Sequence, residues 1–271
     1  MMSALRNSIL LMLAWFGRGS VTFCLCGFLL QFQSIASAQE KKDENKEQAA
    51  ATLSLPLAAP AGVTTKIKVR GAKLDLTSEV KTSNQKVRIK LIAKGKATVP
   101  AMTDAAKVGD TQVELELTFA EDAAAGDLAL KMVTPGGEAS LTLPIVAKES
   151  LIEATGRQNS FAKARRIDGG KTVLGVIEKP RDVHVFRVEL AANQKMTCEV
   201  HAARQGSPLD SLLTLYDVGR QIVATNDDHD KSRDSRLEFI APRKGSYFIS
   251  LIDAQDTGSP VHVYRMTLDI E

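Results

Sequence analysis

The chain has 271 residues, of which 44% are hydrophobic, so it is long enough for two domains of ordinary size. Its 35 basic and 32 acidic residues give a formal net charge of +3, and two of the basic residues, Arg6 and Arg18, lie in the N-terminal leader. The remainder is close to neutral, which excludes the broad basic surface of a nucleic-acid-binding protein.

Residues 1–38 are predicted to be a signal peptide. Arg6 supplies the positive charge, two apolar runs follow, and a small-x-small pattern ends at Ala38, where we expect cleavage. The segment is long for a signal peptide, and a translation start at Met12 would leave Arg18 as its charged end. The rival interpretation is an uncleaved membrane anchor, but neither apolar run reaches the roughly 18–20 residues that a span needs. We therefore predict an exported protein, periplasmic or extracellular, with no membrane contact after cleavage.

Two of the three cysteines lie in this leader, which leaves Cys198 alone in the exported chain. No intramolecular disulfide can form there, so stability has to come from packed sheets. Cys198 lies between Met196 and Val200 on the apolar side of a predicted strand, a position typical of an inert core thiol.

Residues 39–50 read QEKKDENKEQAA and contain no aromatic or β-branched side chain. Because such a segment has little apolar surface to bury, we predict a disordered charged linker, with a short solvated helix as the alternative.

Residues 51–148 are predicted to form the first domain. Apolar and polar residues alternate along several short segments, which places one face of each strand on a core and the other in water, as in an antiparallel sandwich. About seven such strands fit an immunoglobulin-like architecture. The apolar positions are Ile67 and Val69 (alternating with Lys66, Lys68 and Arg70), Val87, Ile89 and Leu91, then Val113, Leu115, Leu117 and Phe119, then Leu128, Leu130 and Met132, and finally Leu141, Leu143 and Ile145.

The turns of this first domain resemble those of immunoglobulin-like modules of the IPT/TIG type. The matching segments are Pro60–Gly62, Val69–Ala72, Ala125–Gly126 and Thr134–Gly137. The resemblance rests on glycines and prolines at turns, and it implies a structural spacer or an interaction surface.

Residues 151–271 are predicted to form a second β-sandwich, because short alternating strands there are separated by turns rich in Asp, Asn, Gly and Pro. The predicted strands are 173–177, 183–190, 196–202, 212–216, 237–240, 247–252 and 261–270. The two domains together predict an all-β chain of two consecutive antiparallel β-sandwiches after the signal peptide.

An ordered series of motifs in this second domain resembles the bacterial pre-peptidase C-terminal domain. It runs through Asp182–Phe186, Gly206–Asp210, Leu215–Asp217, Asn226–Asp228 and Gly245–Tyr247. The resemblance covers about 120 residues in order. It implies an appended, non-catalytic sandwich, which in relatives is removed during maturation, binds extracellular matrix or polymer, or is steadied by calcium.

Two departures from that family's pattern weaken one calcium position. His184 stands where the second Asp of an Asp-x-Asp-x-Phe signature is expected, and Arg157 replaces an acidic residue near the start of the domain. Calcium prefers six to eight oxygen ligands, so an imidazole and a guanidinium are poor replacements. Asp182 is the acid that remains.

The segment from Asn226 to Asp234 is the densest cluster of side-chain oxygens in the chain. Its oxygen-bearing side chains fall on alternate positions, as the ligands of an EF-hand loop do. However, Lys231 stands where that loop needs Gly, and Leu237 stands where it needs Glu. The candidate calcium ligands are Asp227, Asp228, Asp230 and Asp234, with Asp182. The preferred alternative is a solvated hairpin loop whose Asn and Asp side chains accept backbone N–H groups.

No catalytic or zinc-binding motif is present in the sequence, and the four histidines are too scattered for a zinc site. Tyr216, Tyr247 and Tyr264 are expected to pack against the sheets rather than to form a sugar-binding platform.

We therefore predict a non-catalytic accessory or interaction protein that binds a protein or polysaccharide at the cell surface or in the periplasm. The alternatives are a non-catalytic subunit or detached accessory domain of a secreted peptidase or hydrolase, or an enzyme with a site that the sequence does not display. Calcium is the one cofactor that the sequence suggests.

Overall fold

In a computed structural model that describes residues 48–101, 103–154 and 156–271, the chain folds into four β-sheets that form two sandwiches. Both sandwiches belong to one compact unit. The predicted signal peptide and residues 39–47 of the predicted linker lie outside the described residues. At the end of that linker Ala49 is buried in the first core, and the first strand starts at Ala50.

The first sandwich packs a sheet in the order β1-β3-β6-β5 against a sheet in the order β2-β8-β7-β4. Its strands are β1 Ala50–Leu55, β2 Ala59–Pro60, β3 Thr65–Ala72, β4 Glu79–Lys81, β5 Val87–Lys96, β6 Thr111–Phe119, β7 Gly126–Thr134 and β8 Gly137–Val146. A short helix α1, Ala105–Val108, precedes β6, and a 3₁₀ turn spans Leu74–Leu76.

The second sandwich packs β10-β12-β17-β14-β15 against β16-β13-β18-β11-β9. Its strands are β9 Leu151–Glu153, β10 Arg165–Arg166, β11 Lys171–Val176, β12 His184–Leu190, β13 Lys195–His201, β14 Ser211–Tyr216, β15 Ile222–Asn226, β16 Arg236–Ile240, β17 Gly245–Asp253 and β18 Val263–Ile270. Further 3₁₀ turns span Lys148–Ser150, Phe161–Lys163 and Ala203–Gln205.

The all-β prediction is confirmed, and the alternating segments are the strands that line the cores. Ile67 and Val69 of β3 face Leu128 and Leu130 of β7 across the first core, and all four are buried. The pairing is antiparallel except at three short edge contacts, β2 with β8, β9 with β11 and β10 with β12, which are parallel.

Arg70 was expected on the solvated face of β3, and that expectation is wrong. Only 5% of it is exposed, because its guanidinium donates to the carbonyl oxygens of Val108 at 2.9 Å, Gly109 at 2.9 Å and Thr98 at 3.0 Å. These three acceptors replace the water that the charged group loses, as a buried cation requires. Burial lowers the pKa of Arg70 from its ordinary value.

A third apolar cluster joins the two sandwiches. Its buried members are Leu53 and Leu57 from β1 and the segment after it, Val108 from α1, and Val261 and Val263 from the second sandwich. We call this cluster the junction. Burying five apolar side chains between the sandwiches stabilises their contact through the hydrophobic effect.

Candidate binding surface

The structure places Asp234, the last acid of the predicted calcium loop, inside the protein. Its Oδ1 accepts the backbone N–H groups of Ala202 and Ala203 at 2.9 and 2.7 Å. Its Oδ2 accepts the N–H of Arg204 at 3.1 Å and the Arg204 Nε at 2.8 Å. Asp234 is 0% exposed, so both oxygens serve the 203–205 turn.

The other loop acids lie on a tight hairpin. His229 and Ser232 exchange backbone hydrogen bonds, and Asp230 and Lys231 between them both have positive φ, as in the two-residue hairpin turns that Asn, Asp and Gly favour. Asp227, Asp228 and Asp230 are exposed, and Asp230 lies 3.3 Å from the Nε2 of His229.

Asp182 is held at a separate place, at the start of β12. Its two oxygens accept the backbone N–H groups of Glu178 at 3.2 Å and Val183 at 3.1 Å. Among the described residues, no group of three or more His, Cys, Asp or Glu side chains is arranged to hold a metal ion. Calcium binding stays a prediction, and the exposed acids Asp227, Asp228 and Asp230 are the ones left to support it.

A serine–histidine hydrogen bond does occur, between the Ser259 Oγ and the His262 Nδ1 at 2.8 Å. It belongs to a turn: the same Oγ accepts the N–H of Val261, and the His262 N–H donates to the carbonyl of Ser259. The other ring nitrogen meets Thr257 rather than a carboxylate. Ser259 and His262 are both buried, so this pair fastens the turn and has no open face for a substrate.

The tyrosines separate into two kinds. Tyr247 and Tyr264 are buried in the second core, which confirms the packing prediction for both. Burial raises the pKa of Tyr264 well above its ordinary value, and its hydroxyl lies 2.7 Å from the Nδ1 of His184. Tyr216 is half-exposed on the outer face of the β10-β12-β17-β14-β15 sheet.

On that outer face, three aromatic rings meet. Phe161, from the 3₁₀ turn after the first strand of the domain, contacts Tyr216 with ring centroids 5.1 Å apart and an interplanar angle of 89°. It contacts Phe248 at 5.2 Å and 77°. Such edge-to-face pairs are favourable beyond their buried area. All three rings are only partly buried.

Arginines frame the rings. The Arg220 guanidinium lies 5.5 Å from the centroid of Phe161, within cation–π range, and Arg187 is the cross-strand partner of Phe248. Among the described residues no carboxylate lies within 4 Å of Arg220, whereas Arg187 lies 3.4 Å from Glu189. We call these five residues, Phe161, Tyr216, Phe248, Arg187 and Arg220, the Phe161 surface.

The 3₁₀ turn that carries Phe161 adds positive charge beside the Phe161 surface. Lys163 is exposed, and no carboxylate of the described residues pairs with it. Arg165 is also exposed, but it is in register with the buried Phe186 and donates to the backbone oxygen of Glu153 at 2.7 Å, in the opposite sheet, so it points away from this surface. Aromatic and arginine side chains dominate the energetics of protein interfaces, so this face has the composition of a binding surface.

Sequence reasoning missed the Phe161 surface, although a signal was present. Leu213 and Leu215 are the inward residues of β14, and Tyr247 and Ile249 those of β17. Because side chains alternate along a strand, Tyr216 and Phe248 lie on the outer side of the sheet. Exposed aromatic side chains that cluster there indicate an interaction site.

No protein-family model matches the chain, and no curated protein sequence matches it significantly. Among solved structures, the pre-peptidase C-terminal domain of a Bacillus anthracis collagenase has 14% identity over 39% of this chain and 94% of its own, with a TM-score of 0.33. The Aeromonas hydrophila periplasmic inhibitor of g-type lysozyme has 15% identity over 40% and 97%, with a TM-score of 0.30. A Bacteroides ovatus protein solved with a mixed-linkage heptasaccharide has 7% identity over 72% and 71%, with a TM-score of 0.24. At such scores none of their properties is transferred to this chain.

In the described part of the chain, none of the helices has the length and apolar composition to span a membrane.

Proposed function

We propose that the chain is an exported, non-catalytic binding protein that attaches to an acidic polysaccharide of the cell envelope. The Phe161 surface is the observation that carries the proposal. Its rings offer apolar faces to sugar C–H groups, and its arginines offer donors to hydroxyl and carboxylate oxygens.

Charge favours a polysaccharide that carries carboxylates. Arg220 and Lys163 have no carboxylate partner among the described residues, so an anionic chain gains contacts there without displacing an internal ion pair. Arginine suits this role because its planar fork matches a carboxylate with two parallel hydrogen bonds. A protein at the cell surface is the alternative ligand for this surface. Chromatography on immobilised acidic polysaccharides tests for the polysaccharide directly.

Export is part of the proposal and rests on the N-terminal sequence. Cleavage after Ala38 gives a mature chain that begins at Gln39. N-terminal sequencing of protein recovered outside the cytoplasm checks it, and full-length chain in the membrane fraction would favour the anchor instead.

Affinity chromatography tests the binding role. The protein is passed over immobilised polygalacturonate, alginate and neutral dextran at low salt. We expect retention on the two acidic polymers and none on dextran. Arg220→Gln should elute at lower salt, with an affinity reduced by about two- to fivefold, the worth of one solvent-exposed ion pair with the polymer. Passage of the wild type through both acidic columns would reject the proposal.

Arg88→Gln is the matched control for this experiment. Arg88 is exposed on β5 of the first sandwich and makes none of the contacts described here. It removes the same charge from another domain, so it should leave retention unchanged. An equal loss in Arg88→Gln and Arg220→Gln would indicate unspecific charge attraction and would contradict the role of the Phe161 surface.

A further inference from the structure

A cleft of about 400 Å³ lies where the two sandwiches meet, on the opposite side of the second sandwich from the Phe161 surface. The first sandwich supplies Thr52, Asp127 and Thr142 to its walls, and the second supplies Arg204, Gln205 and Arg265. The volume is in the range of pockets that hold a small ligand. The cleft is thus a candidate site that exists only because both sandwiches are present.

Arg265 is the cation of this cleft that has no ion-pair partner among the described residues. It projects from the outer face of β18 and is half-buried. Its Nε donates to the Gln205 Oε1 at a long 3.4 Å, and no carboxylate of the described residues lies within 4 Å of its guanidinium. A guanidinium carries five N–H donors, so most of those on Arg265 are free to meet a ligand.

The neighbouring Arg204, by contrast, is paired with two carboxylates. Its guanidinium lies 2.8 Å from Asp234 and 2.6 Å from Glu199, and it also donates to the carbonyl of Val200. Glu199 is shared in turn with Arg236, at 2.9 Å. These carboxylates act on Arg265 only from beyond ion-pair distance, so its guanidinium faces the cleft without a direct ion pair among the described residues.

The walls of the cleft are fixed in place. Gly206 ends the 203–205 turn with a φ of 85°, and a Cβ there would lie 1.8 Å from the carbonyl oxygen of Thr52. Only glycine permits this approach of the turn to β1. The junction cluster packs beside it, so the cleft is held open at a set width rather than formed by two loosely tethered domains.

Asp127, on β7, lies on the first-sandwich side of the same cleft and is exposed. Burial and the positive charge of Arg204 lower the pKa of Arg265, and the negative charge of Asp127 raises it. A ligand in the cleft therefore meets a cation on one wall and an acceptor on the other.

We propose that this junction cleft binds a small carboxylate-bearing ligand, with Arg265 gripping the carboxylate and Asp127 accepting a hydroxyl or ammonium donor of the same molecule. A single uronic acid unit and an acidic amino acid both carry that combination and fit the volume. Bidentate pairing with arginine supplies both affinity and orientation.

The test is an NMR titration of the full-length chain with glucuronate, glutamate and glucose at low ionic strength. We expect saturable shifts at residues around Arg265 with at least one of the two acids and none with glucose; the acid that binds more tightly identifies the source of the carboxylate. Arg265→Gln should weaken binding by about ten- to a hundredfold, the range for a charged hydrogen-bonded contact. Absence of shifts with both acids, or equal binding by Arg265→Gln, would overturn the proposal.

Two further variants keep this test decisive if Arg265→Gln folds poorly. Arg265→Lys keeps the charge but loses the fork, so it should bind more weakly than the wild type with an unchanged melting temperature. Asp127→Asn replaces the charged acceptor of the ligand's hydroxyl or ammonium group by a neutral amide, so it should weaken binding of the preferred acid by a few-fold. Wild-type affinity in Arg265→Lys, or unchanged or tighter acid binding in Asp127→Asn, would contradict the assigned roles.

Discussion

The carboxylate of Asp234 grips the guanidinium of Arg204, with Oδ2 and Nε 2.8 Å apart and the acid fully buried. This contact ties the end of the acidic hairpin loop to the 203–205 turn, which is one wall of the junction cleft. The most deeply placed acid of the loop thus has a structural partner. The hydrogen bonds of Asp234 therefore connect the acidic hairpin loop to a wall of the cleft.

Removing that acid should destabilise the second sandwich. Asp234→Ala leaves three backbone N–H groups and the Arg204 guanidinium without their acceptor, so we expect a loss of about 3–5 kcal/mol in the free energy of unfolding. Urea denaturation measures it. Asp228→Ala, on the exposed part of the loop, is the matched control and should cost no more than about 0.5 kcal/mol. Similar losses in both variants would contradict the assignment.

We expect calcium to add little to the stability of the folded protein. A cation that binds only the folded state at a hundred times its dissociation constant adds about 2.7 kcal/mol. Because the carboxylates of Asp234 and Asp182 already accept backbone N–H groups, we expect calcium to raise the free energy of unfolding by much less than this. That smaller effect should depend on Asp227, Asp228 and Asp230. Thermal melts in calcium and in chelator check this. A large shift, or one that survives Asp228→Ala, would require a different site.

His201 should make stability depend on pH. Burial, and after it the positive charge of Arg265, lowers the pKa of His201 from 6.5 to about 4. Glu199 and Asp234 oppose this and Arg204 adds to it. Between these two values the unfolded chain binds the extra proton, so the free energy of unfolding falls as the pH drops from 6.5 towards 4.

The variant His201→Gln isolates this contribution. It removes the titrating group, so the fall in stability over that pH range should become shallower. Urea denaturation at several pH values gives the slopes. A wild-type slope that is retained in His201→Gln would show that other groups cause it.

The junction should protect the segment that connects the sandwiches. Leu57 is 1% exposed within the junction cluster, so Leu57→Ala should cost about 2–5 kcal/mol and should speed trypsin cleavage after Lys148. Leu215→Ala, in the second core, carries the same substitution away from the junction and should not expose that bond selectively. Equal cleavage after Lys148 in wild type and Leu57→Ala would mean that the junction does not hold the sandwiches together.

Alternation was a good guide to the strands that face a core. It identified β6 and β7 because each buries every second residue, and it identified the first half of β3, whose alternation ends at the buried Arg70. It missed β15, whose Ile222 and Val223 are both exposed, and the two- and three-residue edge strands, which are too short to show a period.

The sites were harder to predict because they depend on tertiary neighbours. Arg265 occupies the polar position of an alternating strand and looks like any solvated residue until the first sandwich closes over it. Asp234 sits among exposed acids in the sequence, yet its neighbour on the chain, Ser235, is also buried. Resemblance to a motif places these residues in order along the chain but does not tell which side chains the fold buries.

The central claim, binding through the Phe161 surface, is tested most directly by hydrogen–deuterium exchange of the protein with and without an acidic polysaccharide. The account predicts slower exchange in the Phe161–Lys163 turn and in the parts of β14 and β17 around Tyr216 and Phe248, and no change in β5 around Arg88. Protection confined to the first sandwich, or no protection anywhere in the presence of bound polymer, would contradict it.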